Sequence, residues 1–236
     1  MTDEIAAVDA YQRSVEAVVE EIREDGIVLD RTVFYPRGGG QPGDTGLLRT
    51  ESGEVRVLDT FKRGGELLHR VEGGNLEAGL SVEAVIDWER RHTLMRTHTA
   101  LHALSAVIWR DFDAKVTGGN MEPGSARMDF ELDAISVDFG HDVERVLNDE
   151  LARNLPVHVH FLARDEALAD PDLIRTKVNL LPEFIDPIRV IEIEGLDKQA
   201  DGGTHVRSTE EVGRVSVTKT ESKGKANKRI RIQLVG

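Results

Sequence analysis

Met95-Arg96-Thr97-His98-Thr99-Ala100-Leu101-His102 is the stretch from which the rest of the chain can be read. It lies inside Asp87 to Phe112, where Leu94, Met95, Leu101, Leu104, Ile108 and Trp109 recur with helical rather than alternating spacing. Positions i and i+4 of a helix share one face, so His98 and His102 can reach the same divalent ion. The same pair also fits two ordinary half-buried histidines, because a His-x-x-x-His spacing recurs by chance. A zincin carries Glu after its first histidine as general base, whereas this chain has Thr99. A metal here would therefore act without that base, and further ligands must come from elsewhere. Asp201-Gly202-Gly203-Thr204-His205 offers an acid and a histidine around two glycines that favour a bend over a helix. Such a bend can bring Asp201 and His205 to the same ion.

The chain has 236 residues, of which 39% are hydrophobic, enough for one large or two modest domains with packed cores. No apolar run approaches the roughly 18 residues that cross a bilayer, and the N-terminus lacks the basic-then-apolar pattern of a signal peptide. A cytoplasmic protein with no membrane partner is expected. Cysteine is absent, which excludes disulfides, thiol catalysis and thiolate metal ligands. Any metal must use His and oxygen. The net charge of −13 argues against nucleic acid as a partner, but its distribution argues the other way. Between Arg214 and Arg231 seven basic residues are opposed only by Glu221. The acidic body also suits the high-salt cytoplasm of a halophile.

Along the chain, short β segments are expected between Tyr11 and Leu29, at Thr32–Tyr35, Val55–Leu58, Glu66–His69 and Val82–Ile86. The Gly- and Pro-rich run from Pro36 to Gly46 reads as a structured loop. Five or six short strands with frequent turns predict a small β-barrel over residues 1–86. Asp87 can N-cap the histidine helix, and the architecture changes there. A loop at Thr117–Asn120, a strand at Ala126–Phe130, an amphipathic helix from Val137 to Leu155 stopped by Pro156, and strands at Val157–Phe161, Arg189–Glu194, Arg214–Lys219 and Arg229–Val235 follow. With no regular βαβ alternation, residues 87–236 read as an α+β domain. His158 and His160 share one strand face and read as solvated or paired positions.

Four motifs occur in an order that resembles the free-standing alanyl-tRNA editing proteins of the AlaX type, akin to the editing region of alanyl-tRNA synthetase. They are Leu29–Pro36 with Gly38-Gly39-Gly40-Gln41, Arg96–His102, Arg127–Phe130 and Gly202–Val206, and they span nearly the whole chain. Each fragment is weak alone; four in order are specific. The resemblance, to the medium-length form, implies a small N-terminal β-barrel and an α+β editing domain of the kind shared by threonyl- and alanyl-tRNA synthetases. It implies one zinc ion held by His98, His102, Asp201 and His205. The reaction it implies is hydrolysis in trans of the ester joining a wrong amino acid, chiefly serine with glycine as a second candidate, to the terminal ribose of alanine tRNA. That is a translation-fidelity function.

One position departs from the pattern. The family's second metal motif is usually Cys-Gly-Gly-Thr-His, and here Asp201 stands at the cysteine. Asp is a harder zinc ligand than thiolate, so weaker and less selective binding is expected; Asp201 as a turn former beside a three-histidine site is the alternative. The resemblance places a polar discriminating residue near Thr117. Gly38, Gly39 and Gly40 can bring backbone amides to the ribose or phosphate of the tRNA end, with Gln41 orienting it, or form a plain hairpin connection. Lys223, Lys225, Lys228 and Arg229 are candidates for tRNA phosphates. A non-catalytic tRNA-binding module with a decayed metal site is the competing reading.

Overall fold

The alternating segments of the first third close on themselves. The computed structural model describes residues 2–133, 136–170, 173, 175 and 185–236. Its strands are β1 (Asp3–Glu4), β2 (Ser14–Arg23), β3 (Gly26–Leu29), β4 (Arg31–Thr32), β5 (Gly46–Thr50), β6 (Gly53–Arg63), β7 (Glu66–Glu72) and β8 (Ser81–Ile86). Six of them form a closed barrel in the order β2-β3-β7-β6-β5-β8, the architecture expected from the strand count. Inward positions of each strand, among them Val19, Ile27, Leu29, Leu48, Val55, Val57, Val82 and Ala84, fill the interior. The chain divides into two compact units, residues 1–93 and 94–236.

Two details of the first unit differ from expectation. The segment Thr32–Tyr35 leaves the ladder at Thr32, because the Tyr35 amide is given to the Asp44 carboxylate at 2.6 Å instead of to a strand. Between the Gly-rich loop and Val55 there is also a strand, β5, that its composition did not signal. Gly46 makes it possible, since a Cβ there would lie 2.1 Å from the Val85 carbonyl oxygen of β8. Within the loop, Gly38 and Gln41 exchange backbone hydrogen bonds of 3.1 and 2.9 Å around Gly39 and Gly40, whose φ angles of 57° and 87° suit glycine.

The loop is fixed by a buried ion pair. Asp44 and Arg91 have side chains 1% and 0% exposed. The Arg91 Nε donates to both carboxylate oxygens at 3.1 and 2.9 Å, Nη2 donates to Asp44 and to the Val33 carbonyl, and Nη1 donates to the Ala10 carbonyl at 2.9 Å. All the charge-bearing atoms are therefore matched, which is the condition under which burial of such a pair is tolerated.

Helix α1 (Trp88–Phe112) begins as expected: the Asp87 carboxylate accepts from the Arg90 amide at 3.1 Å. From Thr97 to Ile108 every residue is buried, including Thr97, His98, Thr99, His102 and Ser105. The helix is thus enclosed on all sides, which explains why its apolar stripe is interrupted by polar residues.

Around it the second unit adds β9 (Val116–Glu122), β10 (Ser125–Phe130), α2 (Val137–Leu151), β11 (Val157–Leu162), α3 (Arg164–Ala169), β12 (Ile188–Ile193), β13 (Asp197–Ala200), β14 (Arg214–Ser222) and β15 (Lys228–Val235). These make an antiparallel sheet β14-β15-β10-β9 and a second sheet β11-β12-β13. The α+β class is as read from the sequence. Thr117–Asn120, expected as a loop, lies within β9, where Gly118 and Gly119 pair with Asp129 and Met128 of β10 despite their low strand propensity. Helix α2 ends at Leu151, before the expected Leu155: Asn154 turns the chain with a φ of 54°, and the Leu155 amide goes to the Thr209 hydroxyl at 2.9 Å. Asn148 ties α2 to β14 by donating to and accepting from the Val215 backbone at 2.7 and 2.9 Å. His158 and His160 are surface partners of Glu194 and Glu192. Among the described residues no helix is long and apolar enough to cross a membrane.

His69 gives the first unit a pH signature. It is fully buried beside Phe34, with Nε2 2.8 Å from the Thr32 hydroxyl and Nδ1 3.3 Å from the Ile27 carbonyl oxygen. Burial pushes its pKa down to about 4, against a smaller opposing pull from the Ile27 carbonyl. The unfolded chain takes up this proton near its ordinary value of 6.5, so stability is intact above that value and is lost as pH falls toward 4. Between pH 7 and 5 this group alone should cost about 2 kcal/mol. Denaturant titrations of wild type and His69→Gln at both pH values check it: the wild type should lose more stability by that margin, and parallel losses would contradict the assignment.

Candidate metal centre

Two turns of α1 and one bend after β13 build the site. His98 and His102 follow each other by one helical turn, with ring centroids 5.2 Å apart. Beyond Ala200 the chain bends because the Asp201 carboxylate accepts from the Gly203 amide at 2.6 Å, an Asx turn that Gly202 and Gly203 accommodate. The bend delivers His205 to within 4.4 Å of the His98 ring and 4.6 Å of the His102 ring, centroid to centroid. One donor atom from each of His98, His102, Asp201 and His205 lies within 4.8 Å of all the others. Asp201 is thus a turn former and a member of the cluster at once: Oδ2 is 3.1 Å from His205 Nε2, and Oδ1 is 3.6 Å from His98 Nε2.

The donor set fits a divalent ion. Ligands about 2.0–2.1 Å from a tetrahedral centre stand about 3.3 Å from each other, and the two Asp201 separations fall on either side of that. Two of the imidazoles, His98 and His205, are also held in ligating form. Burial drives His98 down to about 4, despite the attraction of Asp201. His205 is held well below its ordinary value by burial and then by the neighbouring His98. Asp201 stays ionised, since the surrounding imidazoles and the His205 hydrogen bond outweigh its burial. Neutral imidazole and charged carboxylate are the forms that bind metal.

Two residues that sequence reasoning missed orient the rings. Asp197, buried on β13, lies 2.9 Å from His102 Nδ1, which leaves Nε2 for the cluster. Against its burial, this carboxylate raises the His102 pKa. Arg175 at 2.5 Å and Gln199 at 3.0 and 2.8 Å hold Asp197 in turn. Thr99, the residue at the zincin glutamate position, places its hydroxyl 3.1 Å from His205 Nδ1 while accepting from the Val206 amide at 3.3 Å. It fixes a ring instead of taking a proton. Asp197 carries no sequence signal, lying in a turn-rich stretch with no motif; Thr99 was visible, but only as a departure.

The remaining sequence candidates make contacts of their own. Thr117, exposed on β9, donates to the Asn227 side-chain oxygen at 2.9 Å. Gly38 and Gly39 are exposed, Gly40 is half-buried and Gln41 is 2% exposed. In the β14–β15 hairpin Lys223 and Lys225 are exposed, whereas Lys228 donates to the Gly224 and Lys225 carbonyls at 2.8 and 3.1 Å. Arg229 makes a two-pronged pair with Asp129 at 2.6 and 2.8 Å.

A closed barrel followed by an α+β unit with a buried His/Asp cluster matches tRNA synthetase families at both ends. Residues 1–90 match the class II (A) tRNA synthetases, and residues 188–231 match the second additional domain of threonyl and alanyl tRNA synthetases. The chain is 39% identical to the alanyl-tRNA editing protein AlaX-M of Methanosarcina barkeri over the full length of both, and 38% identical to that of Saccharolobus solfataricus over 98% of each. It is also 38% identical to alanine–tRNA ligase of Pyrobaculum calidifontis, over 93% of this chain and 25% of that enzyme. The chain belongs to the AlaX-M family of alanyl-tRNA editing proteins.

The dual position of Asp201 is testable by metal analysis. Asp201→Cys should tighten zinc binding, because thiolate is the softer donor. Asp201→Ala should lose metal along with the bend. Full metal content in Asp201→Ala would reduce the centre to three histidines, and unchanged content in both His98→Ala and His205→Ala would remove it.

Proposed function

We propose that the protein is a metal-dependent aminoacyl-tRNA hydrolase that clears serine, and as a second substrate glycine, from mischarged alanine tRNA in the cytoplasm. The observation that carries this reading is the convergence of His98, His102, Asp201 and His205 at one buried point in a chain matching editing proteins end to end. The donor set of three nitrogens and one oxygen suits zinc. An ion bound there supplies Lewis-acid polarisation of the ester carbonyl or of the incoming water.

In the reaction the water oxygen bonds to the ester carbonyl carbon, the bond from that carbon to the ribose oxygen breaks, and the ribose oxygen takes up a proton. His98, His102, Asp201 and His205 would hold the ion, with Asp197 and Thr99 fixing two of the rings. Neither His98 nor His102 is followed by an acidic residue, so the zincin arrangement for proton removal is not available on α1. Selection against alanine requires recognition of the serine hydroxyl, since a hydroxyl-binding site rejects an analogue lacking it far better than a size filter does. Thr117 is our candidate: its hydroxyl, donating to Asn227, keeps lone pairs free to accept. Gly39 and Gly40, at the tip of the turn that Gly38 and Gln41 close through their backbones, offer amides for the RNA end, and the buried Gln41 shapes that turn. In the hairpin, Lys223 and Lys225 are the cations available to phosphate, while Lys228 and Arg229 hold its shape.

Deacylation of seryl-tRNA(Ala) by the full chain, with and without chelator, tests the reading. Activity should disappear with chelator and return with zinc. Thr117→Val should lose discrimination between serine and alanine, and Gln41→Ala should slow deacylation with metal content intact. Binding of tRNA without hydrolysis at saturating zinc would instead make the protein a tRNA-binding module.

A further inference from the structure

Phe61 of β6 belongs to a small apolar cluster with Val28 and Leu68, separate from the barrel interior. On β3 the neighbours Ile27 and Leu29 face inward, so Val28, and the cluster with it, lies on the outer face of the barrel. The Phe61 ring is nevertheless only 2% exposed. Three guanidinium groups cover it: Arg37 from the Gly-rich loop at 5.2 Å from the ring centroid, Arg63 from the end of β6 at 5.7 Å, and Arg70 from β7 at 5.4 Å.

The charge arrangement on this face differs from the rest of the barrel. Elsewhere exposed arginines meet exposed glutamates, as in Arg49 with Glu54 and Glu83 or Arg56 with Glu72. Around Phe61 the acids are mostly covered and the cations are outermost. Arg37 is 54% exposed against 20% for its partner Asp59, and Arg63 is 65% exposed against 24% for Asp25. Arg70 is exposed and, among the described residues, has no carboxylate within ion-pair distance. The backbone holds the array in place, since the Arg37 amide donates to the Thr60 carbonyl at 2.8 Å, next to Phe61 in sequence. Covering a small apolar cluster does not require three guanidinium groups around one ring; Asp59 and Asp25 balance two of them, which leaves one net positive charge on Arg70, and the cations still repel one another. An external polyanion relieves that repulsion, and planar guanidinium groups are suited to phosphate oxygens. In a chain of net charge −13, approach to a polyanion depends on such local cationic spots.

We propose that Arg37, Arg63 and Arg70 around Phe61 form a docking point for the sugar-phosphate backbone of RNA. The proposal rests on the tRNA-editing reading and assigns the barrel's outer face, beside the Gly-rich loop, to the body of the tRNA.

The test uses the full chain, with binding of an uncharged alanine tRNA transcript measured by fluorescence anisotropy from low to moderate salt. Arg63→Gln/Arg70→Gln should bind about tenfold more weakly at low salt, and the slope of log affinity against log salt should fall by about 2, one per lost phosphate contact. In deacylation, KM should rise with kcat held. Hydrolysis of 3′-O-seryl-adenosine, which lacks the tRNA body, should stay at the wild-type rate. If that rate also falls, the double variant is misfolded, and the single Arg70→Gln, with both acid-paired arginines left in place, carries the test with a slope change of about 1. Arg70→Lys should keep the wild-type slope. Wild-type affinity and slope in the correctly folded variant, with wild-type protein binding and deacylating tRNA, would overturn the docking point and leave the editing function standing. A wild type that neither binds nor deacylates tRNA would overturn both.

Discussion

Three imidazoles and a carboxylate share one buried point, with donor atoms no more than 4.8 Å apart, and this crowding constrains everything around it. Three protonated histidines cannot coexist at such separations in a region from which water is excluded, so two of the rings are held neutral. Neutral rings with inward lone pairs, beside an ionised Asp201, create a demand for positive charge that a cation satisfies. The local structure follows from that demand. Helical spacing gives two rings a common direction, the Asx turn of Asp201 swings the third into place, and Asp197 and Thr99 settle which ring nitrogens face outward. Most of these partners are themselves buried, so each is committed to the geometry by the cost of leaving a polar group unmatched.

The first unit is organised by a comparable commitment. Asp44 is at once the acceptor for the Tyr35 amide, the partner of Arg91 and, through its backbone carbonyl, the acceptor for the Thr60 hydroxyl at 3.1 Å. Loss of either member of this pair would leave an uncompensated buried charge, typically a penalty of about 3–5 kcal/mol. Close approach of the loop to β6 also needs Gly43, where a Cβ would stand 2.1 Å from the Thr60 carbonyl oxygen. The Gly-rich run therefore has two physical roles. Gly39 and Gly40 supply backbone conformations at the tip, while Gly43 and Gly46 supply room at the base.

These roles explain how far the sequence could be read. The barrel strands and the histidine helix were legible because period-2 and helical patterns, with glycine turns between them, report burial directly. Strand β5 was not, since it is only five residues long and begins at Gly46, the last residue of the Gly- and Pro-rich run, a glycine there for contact with Val85. Thr117 to Asn120 were read as a loop because two glycines suppress strand propensity, and only pairing with β10 overrides it. The four cluster residues were visible through spacing and motif order. Asp197 was invisible because a positioning carboxylate is defined by what it touches, and His102 lies far away in sequence. The C-terminal basic run showed the converse limit. Sequence alone gave Lys228 and Arg229 the same weight as Lys223 and Lys225, yet the first two spend their charge on backbone carbonyls and on Asp129.

Asp201 is where the physics of the centre and the usual family pattern meet. Replacing a thiolate by a carboxylate keeps the ligand set at one negative charge, so the electrostatic demand for a cation survives the change. What changes is hardness and the way the donor is held. A carboxylate has two oxygens, and here they are divided: Oδ2 serves the Gly203 amide and the His205 side of the cluster, while Oδ1 faces His98. Arg189 lies beside it, 4.0 Å from Oδ2, and its guanidinium donates to the Asp201 carbonyl at 2.9 Å. The Gly203 amide draws electron density from the carboxylate, making it a weaker donor than a free one. An ion held by three imidazoles and such a donor would keep more of its own positive charge, favouring polarisation of an ester over tightness of binding. The feature that makes the bend is thus also the one that would trade tightness of metal binding for Lewis acidity.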